Sequence, residues 1–162
     1  MNSLTTALRP AGPDDEEFLY QVYACTREDE MALARAQLGW DAGQVAAFLR
    51  MQSDAQKLHY RGQYPRASWQ VIEVAGRPAG RLIVDRPPDE LHLMDIALLP
   101  AFRGQGLGTG LLRDLQAEAA GRSVPVRLYV ESFNRAQTLY QRLGFAEISR
   151  QGLSIEMLWK GA

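Results

Sequence analysis

The chain has 162 residues, 46% of them hydrophobic, and 18 Lys or Arg against 19 Asp or Glu give a formal net charge of −1. That length fits one domain over residues 1–162, with apolar material for a sizeable core. The near-zero charge gives no general attraction to nucleic acid or to a membrane surface, and neither is expected as a partner. The single cysteine, Cys25, excludes an internal disulfide and a cysteine-rich zinc site, and no metal is expected. It fits a reducing, cytoplasmic compartment. The stretch MNSLTTALRPAG lacks a basic segment followed by an apolar one, so no signal peptide is expected. No apolar run approaches the length that spans a bilayer.

In chain order, Leu4–Leu8 reads as a short first strand stopped at Pro10. Pro13-Asp14-Asp15-Glu16-Glu17 starts a helix, with proline in the first turn and acids at the positive end of the dipole. Phe18, Leu19, Val22 and Tyr23 give that helix an apolar face, and Gly39-Trp40-Asp41 breaks the pattern. A second helix runs from about Ala42, with Val45, Phe48, Met51, Ala55 and Leu58 at helical spacing, and ends before Gly62 and Pro65.

The period then changes. Trp69–Val74 is rich in strand formers, Gly76-Arg77-Pro78 is turn chemistry, and Gly80–Asp85 completes a hairpin. After the turn Arg86-Pro87-Pro88-Asp89, Leu91–Leu98 is nearly continuously apolar, as a central strand is. A helix carrying Leu107, Leu111, Leu112 and Leu115 follows, capped by Gly121. Val126–Val130 is a strand, and Ser132-Phe133-Asn134 opens a short helix through Leu143. Ala146–Arg150 and Ile155–Lys160 form an antiparallel pair around Gly152. The order βααβββαβαββ predicts an α/β fold: a mixed sheet of about seven strands flanked by about four helices, with a right-handed parallel crossover from Leu91 to Val130.

The stretch richest in chemistry joins the strand Leu91–Leu98 to Arg103-Gly104-Gln105-Gly106-Leu107-Gly108-Thr109 and the helix behind it. Strand, glycine-rich turn and helix start together build a cradle for phosphate: successive N–H groups point into one concavity, and the helix dipole adds partial positive charge. Glycine supplies backbone with φ > 0 and lets a phosphate approach closely. A phosphorylated cofactor is therefore expected. The spacing is not that of the dinucleotide fingerprint G-x-G-x-x-G, because the third glycine comes one residue early and no acidic residue closes a second strand about 20 residues on. No Gly-Lys-Ser/Thr is present, which excludes a P-loop.

The run Arg103-Gly104-Gln105-Gly106-Leu107-Gly108 resembles the Arg/Gln-x-x-Gly-x-Gly/Ala pattern of the GNAT acyltransferases. Pro100 stands before the loop at that family's spacing, and Ile96-Ala97-Leu98 sits where its central strand does. Downstream, Asn134 through Leu139-Tyr140-Gln141-Arg142-Leu143-Gly144-Phe145 resembles the second signature, and the element order agrees over nearly the whole chain. The resemblance implies a GNAT-like fold and the transfer of an acetyl group from acetyl-CoA to a primary amine.

It also implies roles for residues. Arg103, Gly104, Gln105, Gly106, Gly108 and Thr109 would hold the pyrophosphate of coenzyme A, mostly through backbone. Ile96, Ala97 and Leu98 would form a bulge whose free backbone groups bind the pantetheine arm and polarise the acetyl carbonyl. That suits the chemistry, since a developing oxyanion needs a fixed N–H away from water, and a bulge leaves one outside the ladder. Tyr140 matches the general acid that protonates the departing thiolate; a phenol is protonated at neutral pH, and the bland reading is a core tyrosine. Asn134 matches a pantetheine contact and is equally a good helix cap. Glu131 is the candidate general base, with Asp95 and Tyr129 as rivals; His92 is read as structural, and His59, on or near the second helix, is not taken as a base.

The same resemblance places acceptor selection in the first two helices, the loop between them and the last hairpin. Here the first region holds the run Arg27-Glu28-Asp29-Glu30 with Trp40, Tyr60 and Tyr64. A small-molecule amine and a peptide amine both stay open. Family members often dimerise, so a homodimer is compatible with the resemblance, and no sequence feature marks an interface. The competing reading is a non-catalytic acyl-CoA-binding sensor or scaffold of the same fold.

Overall fold

A computed structural model describes residues 5–161. Its elements are β1 (Thr6–Pro10), α1 (Glu16–Cys25), α2 (Glu28–Leu38), α3 (Ala42–Gln63), β2 (Ser68–Val74), β3 (Arg77–Asp85), β4 (Leu91–Leu98), α4 (Leu107–Arg122), β5 (Val126–Glu131), α5 (Ala136–Arg142), β6 (Ala146–Gln151) and β7 (Ser154–Trp159). Seven strands form one mixed sheet in the order β1-β2-β3-β4-β5-β7-β6. β4 and β5 are parallel, with His92 opposite Arg127, while β1–β2, β5–β7 and β6–β7 are antiparallel. The expected α/β fold and the parallel β4–α4–β5 unit are thus present.

The chain divides into two compact units interleaved in sequence: Met1–Leu82 with Ala97–Arg103, and Ile83–Ile96 with Gly104–Ala162. In the first, Tyr23, Met31 and Leu49 form a buried cluster between the three helices, with Trp40, Val45 and Phe48 packed on it. In the second, α4 buries Leu107, Leu111, Leu112, Leu115 and Ala119, one stripe at helical spacing, and packs on β5. Leu91, Leu93, Val126, Leu128, Ile155 and Met157 supply the sheet side of that unit's core.

Several boundaries depart from the sequence reading. The N-terminal helical segment is two helices, so five α-helices are found rather than about four. Thr26 caps α1: its hydroxyl donates to the Tyr23 carbonyl at 2.7 Å and Arg27 N–H to Ala24 O at 3.1 Å, tightening the last turn and ending the helix. Glu28, Asp29 and Glu30 then restart α2 at its positive dipole end. The first strand spans Thr6–Pro10 and so includes its proline, which sits at the end of an edge strand; Leu4 lies outside the described residues. The third helix runs through Gly62 to Gln63, and Met51 (61% exposed) and Leu58 (78% exposed) lie off its buried face. α4 includes Gly121 and ends on Ser123, which adopts the left-handed conformation itself. α5 begins at Ala136, after Asn134 rather than at Ser132.

Candidate active site

The glycine loop delivers the geometry its sequence suggests. Gly104 and Gly106 have φ of +76° and +77°, a region open to glycine at no steric cost. Gly106 is the N-cap of α4, and no side chain caps the helix. The amides of a first helical turn have no intrahelical acceptor, so those of α4 face outward with the dipole behind them. A Cβ at Gly108 or Gly110 would meet nothing within 4 Å, which leaves room for a ligand to lie against the backbone.

At the end of β4 the backbone runs close against β3. A Cβ at Gly80 would fall 2.1 Å from the Ala97 carbonyl oxygen and 3.0 Å from Leu98 Cα. Only glycine on β3 fits beneath that carbonyl. Leu99 N–H donates to Ala79 O at 2.8 Å, whereas the Leu98 carbonyl accepts from Arg103 Nε at 3.0 Å and faces the Cys25 thiol at 3.9 Å. The second Arg103 nitrogen lies 3.4 Å from Cys25 Sγ. Arg103 therefore braces the strand end through its side chain. Burial pushes the Cys25 thiol pKa up, with Arg103 opposing and Glu28 adding to the rise, so Cys25 stays protonated. Gly80 and Cys25 were not among the site residues expected from sequence. Gly80 carries no motif, and its role depends on a strand it meets only in the fold.

In the second unit, α5 carries Tyr140 inward, where 8% of it is exposed and its ring meets Phe145 edge-on at 5.8 Å between centroids. Burial, with a smaller contribution from the Asp95 carboxylate, pushes the phenol up to about 12. The tyrosine is both core and titratable group, and the structure brings Asp95 of β4 into its electrostatic range. Glu131 ends β5, and its carbonyl accepts from Asn134 N–H at 2.9 Å. The Asn134 side chain accepts from Ala136 N–H at 2.8 Å, an Asx turn one residue ahead of Arg135, the N-cap of α5, so Asn134 orders the turn and does not itself cap the helix. Gln137 reaches back to the Ser132 carbonyl at 2.5 Å, tying the β5–α5 turn together.

The rivals are otherwise engaged. Tyr129 donates to Glu156 at 3.3 Å and meets the His92 ring edge-on, while Arg127 is held by Glu90 and Glu156 at 2.6 Å each. His92 is buried, and desolvation lowers its pKa, so it is neutral. His59 lies on an exposed position of α3, beside Tyr60. Among the described residues no cluster of three metal-ligating side chains occurs, and no helix is long and apolar enough to cross a membrane.

Comparison with known proteins places this geometry in a family. No curated protein matches the sequence. Among solved structures, the PaiA N-acetyltransferase of Thermoplasma acidophilum, in complex with coenzyme A, superposes with a TM-score of 0.68 at 18% identity, over 96% of this chain and 99% of its own. The ribosomal-protein-S18-alanine N-acetyltransferase of Escherichia coli gives 0.65 at 23% identity, over 98% and 96%. A GNAT family acetyltransferase of Elizabethkingia anophelis with acetyl-CoA bound gives 0.61 at 15% identity, over 99% of each chain. These likenesses establish the fold. The family model of the GNAT acetyltransferases matches residues 4–145, most of the length, and the chain belongs to the acetyltransferase (GNAT) family.

Proposed function

We propose that this protein transfers an acetyl group from acetyl-CoA to a primary amine, with the thioester lying along the end of β4. The observation that carries the reading is the Gly104–Gly106 turn feeding the uncapped N-terminus of α4. Backbone N–H groups from Gly104 to Thr109 hold the pyrophosphate, with the α4 dipole offsetting its charge. Ile96, Ala97 and Leu98 offer the pantetheine arm and the acetyl oxygen their backbone groups, and Asn134 lines the arm from the β5–α5 turn.

The amine nitrogen attacks the thioester carbon. An N–C bond forms, the C–S bond breaks, and the products are an amide and the free thiol of coenzyme A. The neutral Tyr140 phenol donates a hydrogen bond to the sulfur as charge develops on it. Burial and the neighbouring Asp95 both disfavour tyrosinate, which suits a donor and rules against Tyr140 as a base. Glu131, at the end of the strand parallel to β4, accepts the proton that the amine loses. The acceptor is a small-molecule or peptide amine, the setting is cytoplasmic, and a homodimer is compatible with this chemistry.

Thiol release in the presence of acetyl-CoA and an amine panel tests the reading. Amine-dependent release is expected. Tight acetyl-CoA binding with no release for any amine would leave a sensor or scaffold instead.

A further inference from the structure

Within the first unit, α3 is apolar on two opposite faces. One faces inward: Leu49 is the buried residue of this 22-residue helix, and Val45 and Phe48 pack on the core beside it. The other faces outward. With 3.6 residues per turn, Ala47, Met51, Ala55, Leu58 and Gly62 fall on one stripe about 80° wide, on the side away from Leu49. All five are exposed, Met51 and Leu58 most informatively because they are large. A Cβ at Gly62 would meet nothing within 4 Å. Gln44, also exposed, is the one polar residue of α3 within that stripe. A contiguous exposed apolar stripe of this kind marks a contact surface.

The stripe is complementary to itself. Its steps of four, four, three and four residues make a seam that another helix can follow along its length. Two copies of α3 laid antiparallel, about a two-fold axis between Gln52 and Ser53, set Ala47 level with Leu58 of the second copy. Met51 is then level with Ala55, and Gln44 with Gly62, and each pairing recurs with the roles exchanged, as two-fold symmetry requires. Every layer places a larger side chain against a smaller one, so the helices approach closely without a gap. A parallel pairing would stack Met51 on Met51 and Leu58 on Leu58 and leave the alanines facing each other. Charge agrees with the antiparallel register. Arg50 and Asp54 lie on one flank of the stripe, both with exposed side chains, and the register brings Arg50 opposite Asp54 of the second copy.

We propose that the outward face of α3 is the contact of a homodimer, in which two copies of the helix pack antiparallel through Ala47, Met51, Ala55, Leu58 and Gly62. The dimer is independent of the acetyl-transfer reading. A second copy is the occupant because the match of sizes and the match of charges both close on the same register of the same helix. An unrelated partner would require neither. The helix is about 33 Å long, and one such helix pair is a small contact beside the ~1,200–2,000 Å² of a stable complex. The association is therefore reversible and set by concentration.

Sedimentation equilibrium over a concentration series reaching about 1 mM tests it, with circular dichroism to check that each variant is folded. A monomer–dimer equilibrium is expected. M51E and L58E should each raise the dimer dissociation constant more than about tenfold, because symmetry buries each new carboxylate twice. D54R, which sets two cations together, should raise it about fivefold. Cross-linking reads the register. In a C25S background, A47C mixed with L58C should form a disulfide-linked dimer under mild oxidation, and neither variant should link to itself, since like positions lie about 17 Å apart along the axis. A chain monomeric throughout, a dimer that M51E and L58E leave intact, or self-linking of A47C or L58C would overturn the inference. So would a monomer that binds vesicles of phosphatidylcholine and phosphatidylglycerol and loses that binding in M51E, which would assign the stripe to a membrane surface.

Discussion

Tyr140 has two properties that pull on the mechanism in opposite directions. Its pKa of about 12 keeps the phenol protonated through any physiological pH, yet a thiolate with a pKa near ~8.5 takes that proton only against a gradient. In the proposed mechanism its contribution is then a hydrogen bond to the developing thiolate, with full proton transfer coupled to loss of the amine's own proton. Y140F keeps the ring and its edge-on contact with Phe145 and removes only the donor. It should lower kcat by about 10²-fold, the lower end for an acid–base group, with acetyl-CoA affinity changed less than about twofold. Unaltered kcat would reduce Tyr140 to core packing. Gly80 sets a second residue-scale condition. G80A drives a methyl into the Ala97 carbonyl, and an overpacked backbone contact of this kind costs about 1–3 kcal/mol. Chemical denaturation should show that loss, together with a fall in kcat as the strand end is displaced. A variant as stable and active as the parent would show that the Ala97 carbonyl does not need glycine beneath it.

Among the elements, α3 has a start fixed by side chains on both sides of its first turn. Asp41 accepts from Gln44 N–H at 2.8 Å while the Gln44 side chain accepts from Asp41 N–H at 2.9 Å, a reciprocal capping box. D41A should cost about 1 kcal/mol, or about 2–4 °C in Tm for a chain of this size, without touching acetyl-CoA binding. Thermal melts and titrations on the same sample check both halves. The glycine turn and the parallel crossover were legible because each is dictated locally: the turn by positive φ, the crossover by a strand-helix-strand period. The break between α1 and α2 was not, because Thr26 ends the helix through a side-chain bond to Tyr23 O, and threonine also occurs inside helices. The buried face of α3 was misassigned because Met51 and Leu58 are apolar but exposed. Partner elements choose the face, and a single helix does not name its partners. Gly80 was invisible for the same reason, since a strand glycine acquires meaning only from the carbonyl across from it.

At the scale of the whole molecule, acid should act through His92 and Asp15. The folded-state pKa of His92 is depressed by burial, so the unfolded chain binds its proton more readily. Stability is fully present above ~6.5 and falls as pH drops below that value, the range in which the unfolded imidazole charges. Asp15 acts lower down: hydrogen bonds from Arg9 and from Gly12 N–H hold its pKa to about 2. The stability it contributes is present above ~3.9 and is lost as pH falls towards 2. Denaturation midpoints measured across this range should decline in those two windows, and H92Q should flatten the upper one. A profile flat from neutrality to pH 5 would contradict the buried neutral imidazole.

Isothermal titration with acetyl-CoA, with NAD and ATP as controls, tests most directly whether the turn after β4 is a coenzyme A site. Saturable binding of acetyl-CoA at one site per chain is expected, with no comparable heat from the controls and loss of that binding in G106W with the fold retained. Equal binding of all three ligands, or full binding by G106W, would contradict it.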